Sequence, residues 1–313
     1  MPLAVGPAIS QMRPVMQLVL TLVAPPNAGG IQINLREALA GVGATVAESR
    51  PLEAGEGAAV DVFLEADDPA AVKAALRAPL EGQMLDWCLQ PVEGRRKRLL
   101  IADMDSTIIN VECLDELADF AGVKDEVSAI TERAMRGELE FEGALRERVA
   151  MLKGLGIASL QQAYDERVRL NPGARTLVRT MAEHGARCVL VSGGFTFFTG
   201  RVAEAAGFHA NRANTLGEAD GALLGTVGEP ILGREAKLAA LKEETAALGV
   251  PLSAALAIGD GANDLSMIEA AGLGVAYRAK PVVAAQADAK VDHADLTALL
   301  YFQGYALDQF VTD

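Results

Sequence analysis

Two kinds of apolar pattern divide the chain. Up to about residue 91, short apolar stretches alternate with turn residues. MQLVLTLVA (16–24), ATVAESRPLE (44–53) and AAVDVFLEAD (58–67) read as strands, the last two joined around the Gly-rich turn EAGEG (53–57). DPAAVKAALRAPL (68–80) opens on Asp-Pro and repeats apolar residues at spacings of three and four, which predicts a helix. A further helix is expected near 29–41 and a last strand near 83–90. The order β-α-β-β-α-β predicts a small ferredoxin-like α+β sandwich.

From residue 98 the pattern changes. RLLIA (98–102), RCVLVSGG (187–194), ALAIGDG (255–261) and GLGVAY (272–277) carry apolar runs without alternation. Such runs suit strands covered on both faces, as in a parallel sheet. Helical patterns such as GREAKLAALKEETAAL (233–248) lie between them, so a doubly wound, Rossmann-like α/β core is predicted. Residues 111–180 read as helices only. Inserted after the first core strand, that block would lie over the carboxyl ends of the strands, where open α/β sheets bind ligands; it reads as a cap. ADGALLGTVGEPI (219–231) reads as a hairpin flap, and YFQGYALDQFVTD (301–313) as a final helix with a frayed end. PVEGRRKR (91–98) reads as a solvated linker, dividing residues 1–93 from 94–313.

Composition narrows the function. A length of 313 residues suits two domains. The formal charge of −14 argues against nucleic acid and anionic membranes as partners, both of which need a basic face. No stretch is apolar enough to span a membrane, which sets ion-pumping proteins aside. Cys88, Cys113 and Cys188 are scattered, giving neither a disulfide framework nor a CxxC metal site. The opening MPLAVGPAIS lacks a basic, apolar leader, so a cytoplasmic location is expected.

The chemistry concentrates where three apolar runs end: IADMDST, LVSGGFT and AIGDGAND. In a parallel sheet those ends share one edge. Asp103 and Asp105, two apart in extended backbone, project to the same side. With Asp260 they can offer oxygen ligands to a divalent cation, and an oxygen set without paired His or Cys favours Mg²⁺ over Zn²⁺. SGG after a strand offers a hydroxyl and backbone N–H groups, either a phosphate cradle or a plain turn. Lys237, read alone, is a solvated helix charge. His184, His209 and His293 sit away from every polar strand end.

DMDST (103–107), SGG (192–194), Lys237 and GDGAND (259–264), in this order and approximate spacing, resemble the four motifs of the haloacid dehalogenase-like hydrolase superfamily. The cap, with VECLDELA and AMRGELEFEGALRERVAMLKG, resembles its phosphoserine phosphatase branch. The likeness covers roughly residues 95–305. Residues 1–93 are similar to an ACT-type regulatory or dimerisation domain, although APPNAGG stands where ligand-binding relatives carry an Asp-x-Pro-Gly-like turn.

The resemblance implies a Mg²⁺-dependent phosphomonoesterase acting on O-phospho-L-serine, the last step of serine synthesis. It makes Asp103 the nucleophile that forms an aspartyl-phosphate, and Asp105 the acid that protonates the leaving oxygen and then accepts a proton from water. Mg²⁺ would lie on the Asp103 carboxylate, the Asp105 carbonyl and Asp260. Ser192, the Gly193 N–H and Lys237 would bind phosphoryl oxygens, supported by Asn263 and Asp264. In the cap, Glu112 would pair with the substrate ammonium and Arg148 with its carboxylate, Arg146 being the fallback, and Met135 and Phe141 would line the pocket. ACT-type folds pair through sheet edges or helices, so a homodimer is expected. The alternatives are another small-molecule phosphatase or phosphotransferase of the superfamily and, further off, a non-enzymatic phospho-receiver. The latter lacks an acid two residues after its acceptor and has no large cap.

Overall fold

The computed structural model describes residues 15–312 apart from 26–27, 29, 32, 54–58 and 136–137; the side chain of Met135 is also outside the described residues. So are the opening decapeptide, most of EAGEG, and Pro26, Asn27 and Gly29 of APPNAGG.

The first region forms four antiparallel strands, β1 (Met16–Val23), β2 (Thr45–Pro51), β3 (Ala59–Ala66) and β4 (Asp86–Pro91), in the spatial order β2-β3-β1-β4. Leu20 stands opposite Val62 on one side and Leu89 on the other. The helix Pro69–Leu80 starts where Asp68 accepts the N–H groups of Ala70 and Ala71, two of the donors a helix start leaves unpaired. Its Val72, Leu76 and Leu80 join Leu18, Leu20, Leu22 and Leu64 in one core. The helix expected near 29–41 is shorter, Arg36–Ala40, with no side-chain hydrogen bond from its capping Leu35.

The second region is the doubly wound sheet. Strands β5 (Leu99–Ala102), β6 (Arg187–Phe195), β7 (Ala210–Asn214), β10 (Ala255–Gly259), β11 (Leu273–Tyr277) and β12 (Ala289–Val291) run parallel in the order β12-β11-β10-β5-β6-β7. Every residue of β5, β10 and β11 is buried, as runs without alternation require. A separate hairpin, β8 (Leu216–Ala219) and β9 (Ala222–Val227), turns at Asp220-Gly221. It docks on the cap: Leu223 accepts from the N–H of Gly154 and donates to Leu155 O. The cap helices are Cys113–Ala121, Lys124–Met135, Phe141–Ala150 and Ile157–Arg167. Both ends of the insertion meet at the Ile109–Leu170 bridge, where the Asn171 amide donates to the carbonyls of Thr107 and Ile109.

The solvated-linker reading of PVEGRRKR is corrected. Strand β12 pairs with β4 at Lys290 and Trp87, so the two sheets form one of ten strands. Two members of the basic run, Arg95 and Lys97, turn inward at that junction, while Arg96 and Arg98 stay exposed. Arg95 sits 2.7 Å from the buried Asp61 carboxylate and also donates to the Thr21 hydroxyl and the carbonyls of Tyr301 and Phe302. Lys97 is buried on the carbonyls of Gly94 and Ser253. Arg95 is drawn in because the Tyr301 and Phe302 carbonyls at the end of the helix Ala298–Phe302 lack partners within that helix. From the other side, buried Asp86 accepts the N–H groups of Asp292, His293 and Ala294. The frayed tail is corrected too. Tyr305 is buried beneath Arg96, and the Val311 N–H bonds the Thr180 hydroxyl.

Candidate active site

Strands β10, β5 and β6 are neighbours, so their three polar ends converge on one edge. After β5 the chain stays extended at Asp103 and Asp105 and turns left-handed at Ser106 (φ 57°). The two carboxylates go to different partners. Asp103 accepts from Lys237 Nζ at 2.5 Å, and Lys237 also meets Asp264 at 2.6 Å. Asp105 accepts from the Ser192 hydroxyl at 3.0 Å and from the Cys113 N–H at 2.9 Å. The Lys237 ammonium, read alone as a solvated charge, is instead only 1% exposed.

The electrostatics follow from this burial. Burial and the nearby Asp264 raise Asp103 well above the usual carboxylate range, with Lys237 opposing. Burial also raises Asp105, against the hydrogen bonds from Cys113 and Ser192. Burial and Asp264 push Asp260 up to about 6, although the Thr107 hydroxyl bonds its carboxylate at 3.2 Å. For Lys237 burial acts downward, but the two aspartates hold the ammonium above its ordinary range. Crowded acids that share one cation in this way are poised for an additional positive charge.

Carboxylate oxygens of Asp103, Asp260 and Asp264 lie within 4.8 Å of one another. This all-oxygen set fits a hard divalent cation. The Asp105 side chain is not in that cluster, because Ser192 and Cys113 hold it; only its backbone carbonyl is left for the ligand role anticipated above. Asp264 is anchored by the Gly261 N–H at 3.0 Å, and a Cβ on Gly261 would collide with the Asn263 amide oxygen at 2.3 Å. The glycines of GDGAND therefore let Asn263 and Asp264 fold back over their own loop.

On β6, Ser192 is buried and its oxygen accepts from the Gly194 N–H at 2.8 Å. A Cβ on Gly194 would lie 2.9 Å from Asp105, so only glycine lets the loop approach the acid. Phe141 of the cap lies against Gly193 and Gly233, 3.3 Å and 3.2 Å from where their Cβ atoms would be. Glu112 keeps an exposed face at the mouth of the cleft and accepts from the Ser106 hydroxyl at 2.6 Å; the protein around its carboxyl, with Asp105 and Asp260, pushes it up to about 7. Arg148 is half-buried, bonds the Ala144 carbonyl and the Thr131 hydroxyl, and has no ion pair among the described residues. Arg146 pairs instead with Glu142 and Glu229 on the surface, so the fallback is not drawn into the cleft. The three histidines stay elsewhere: His184 meets Tyr305 edge to face, His209 accepts from the Cys188 N–H, and the His293 N–H bonds Asp86. Sequence reasoning assigned no role to Thr107 or Ser106, though both stand in the quoted DMDST; their contacts with Asp260 and Glu112 depend on the left-handed turn.

A parallel sheet with acids at its carboxyl edge, a buried lysine between two of them and a helical cap above defines a capped α/β hydrolase. The chain belongs to the haloacid dehalogenase-like hydrolase family, whose profile matches residues 100–269, in its phosphoserine phosphatase branch. It is 49% identical to a phosphoserine phosphatase of a Polaromonas species, over 65% of this chain and 88% of that one. Among solved structures it resembles the unliganded probable phosphoserine phosphatase of Vibrio cholerae, with a TM-score of 0.72, 29% identity and coverage of 94% and 88% of the two chains. It also resembles a substrate-bound phosphoserine phosphatase complex, with a TM-score of 0.62, 38% identity and coverage of 66% and 98%.

Proposed function

We propose that the chain hydrolyses O-phospho-L-serine to L-serine and phosphate through an aspartyl-phosphate on Asp103. The observation that carries this reading is the division of labour within DMD: Asp103 lies on Lys237, and Asp105 on the Ser192 hydroxyl and the Cys113 N–H. An Asp103 oxygen attacks phosphorus while the serine oxygen leaves with the proton of Asp105, whose raised pKa favours holding one. Water then attacks the same phosphorus, Asp105 takes its proton, and phosphate and the free Asp103 carboxylate are restored. Lys237, Ser192 and the Gly193 N–H hold the non-bridging oxygens as charge builds on them.

Asp103, the Asp105 carbonyl and Asp260 would hold Mg²⁺, which would supply positive charge to offset the repulsion between the phosphoryl oxygens and the attacking carboxylate. Glu112, whose carboxyl burial and Asp105 push up to about 7, would pair with the substrate ammonium. Arg148, which has no carboxylate partner among the described residues and bonds only a carbonyl and a hydroxyl, would turn its guanidinium to the substrate carboxylate. Phe141, which lies against Gly193 and Gly233, walls the site and excludes water. Residues 1–93 serve as an ACT-type unit through which two copies pair, and the enzyme acts in the cytoplasm; the described residues contain no helix long and apolar enough to cross a membrane.

Phosphate release tests this from phospho-L-serine, phospho-L-threonine, phosphoethanolamine and a sugar phosphate, with Mg²⁺ and with EDTA. Phosphoserine leading by orders of magnitude, and silence in EDTA, is the expected outcome. Comparable rates on all four would remove the substrate assignment.

A further inference from the structure

Asn214, the last residue of β7, is 3% exposed and carries no role in the reading above. Its amide nitrogen donates to the Gly193 carbonyl at 2.8 Å and to Leu232 O at 3.3 Å, while its amide oxygen accepts from the Leu232 N–H at 2.6 Å. Both segments it grips matter to the site. Gly193 follows Ser192 in the SGG loop, and Leu232 precedes Gly233 and the helix Arg234–Leu248 that carries Lys237.

The Gly193–Gly194 peptide is thus held at both ends. Its carbonyl accepts from Asn214, and its N–H donates to the Ser192 oxygen at 2.8 Å. The Ser192 hydroxyl donates in turn to Asp105 at 3.0 Å. Hydrogen bonds therefore run in one direction from the Asn214 amide, through a peptide group and a hydroxyl, to the acid. Each donor in such a chain is polarised by the bond it accepts. A peptide held at both ends cannot flip, so the Gly193 N–H before it keeps its aim.

We infer that Asn214 is a positioning residue for phosphoryl transfer: it fixes the Gly193–Gly194 peptide and thereby the Ser192–Asp105 contact, and it ties the SGG loop to the segment leading to Lys237. The inference rests on the proposed reaction only for its assay, since binding of inorganic phosphate reads the same cradle without turnover.

Asn214→Asp is the decisive substitution. It keeps the shape and the acceptor for Leu232, but loses the donor to Gly193. The expected loss of kcat is about 10- to 100-fold, with KM for phosphoserine moving much less, as for residues that orient groups in the site. Inorganic phosphate, titrated calorimetrically in the presence of Mg²⁺, should bind more weakly by a similar factor. In Ser192→Ala the relay is already cut, so adding Asn214→Asp should cost clearly less than in the wild type. Asn214→Ser, which retains a hydroxyl donor, should recover part of the loss and covers the case in which the aspartate fails to fold. A folded Asn214→Asp enzyme with unchanged kcat and phosphate affinity would overturn the inference, and so would full additivity with Ser192→Ala. A wild-type protein that binds phosphate yet leaves phosphoserine intact would defeat the substrate assignment, and weaker phosphate binding by Asn214→Asp would still support this inference.

Discussion

The two halves of the ten-stranded sheet are built on different rules. The antiparallel half is buried on both faces only along β1, and its edge strand, β2, is exposed along its length; buried polar side chains there serve the junction. The parallel half is buried through β5, β10 and β11 and places its polar residues at the strand ends. Only the second arrangement gathers side chains from distant segments at one edge, because parallel strands all end on the same side. The difference shows that chemistry here follows strand direction, whereas the first half contributes cohesion. Substitutions of the polar residues at the strand ends of the parallel half should therefore cut turnover with little loss of stability, and those at the junction should do the reverse.

Asp103→Asn should give the largest effect. Loss of the proposed nucleophile should lower phosphate release by at least about 10³-fold while melting stays near the wild type; retained activity would end the covalent reading. Arg148→Ala should raise KM for phosphoserine by about 10- to 100-fold, the worth of a charged bidentate contact, and barely alter hydrolysis of an aryl phosphate. Equal losses on both substrates would move the carboxylate contact elsewhere. At the junction, Arg95→Ala strands the buried Asp61 carboxylate. It should cost about 3 kcal/mol, a fall in Tm of about 5–10 °C by calorimetry. A normal Tm would make the junction a loose docking of two independent units. Thr107→Val should have the smallest effect, weakening Mg²⁺ activation several-fold through the lost bond to Asp260, with Tm little changed.

The junction alters one expectation directly. Since the catalytic sheet lies wholly downstream of residue 93, a truncated chain would be expected to keep activity. Removing the first half, however, uncovers the 292–294 amides, the Tyr301 and Phe302 carbonyls and the edge of β12. The truncated chain should melt well below the full one.

Local pattern alone determined the central strands β5, β6, β10 and β11, the cap and the convergence of DMDST, SGG and GDGAND, because burial on both faces leaves an apolar run and the polar residues at its end stand out; the outer strands β7 and β12, short and partly polar, left no such run and went unread. The helix near Arg36 was overread, since a few apolar positions cannot measure helix length. Tertiary structure alone decided that Asp264 joins Asp103 and Asp260 in the acidic cluster, that Arg95 is buried rather than solvated, and that Asn214 grips the SGG loop. Those contacts join residues far apart in the chain, Arg95 reaching a carbonyl 207 positions away. Nothing in the periodicity near an arginine or an asparagine records which distant carbonyl will lack a partner; that is settled only when the strands take their order and the desolvated groups must find one another.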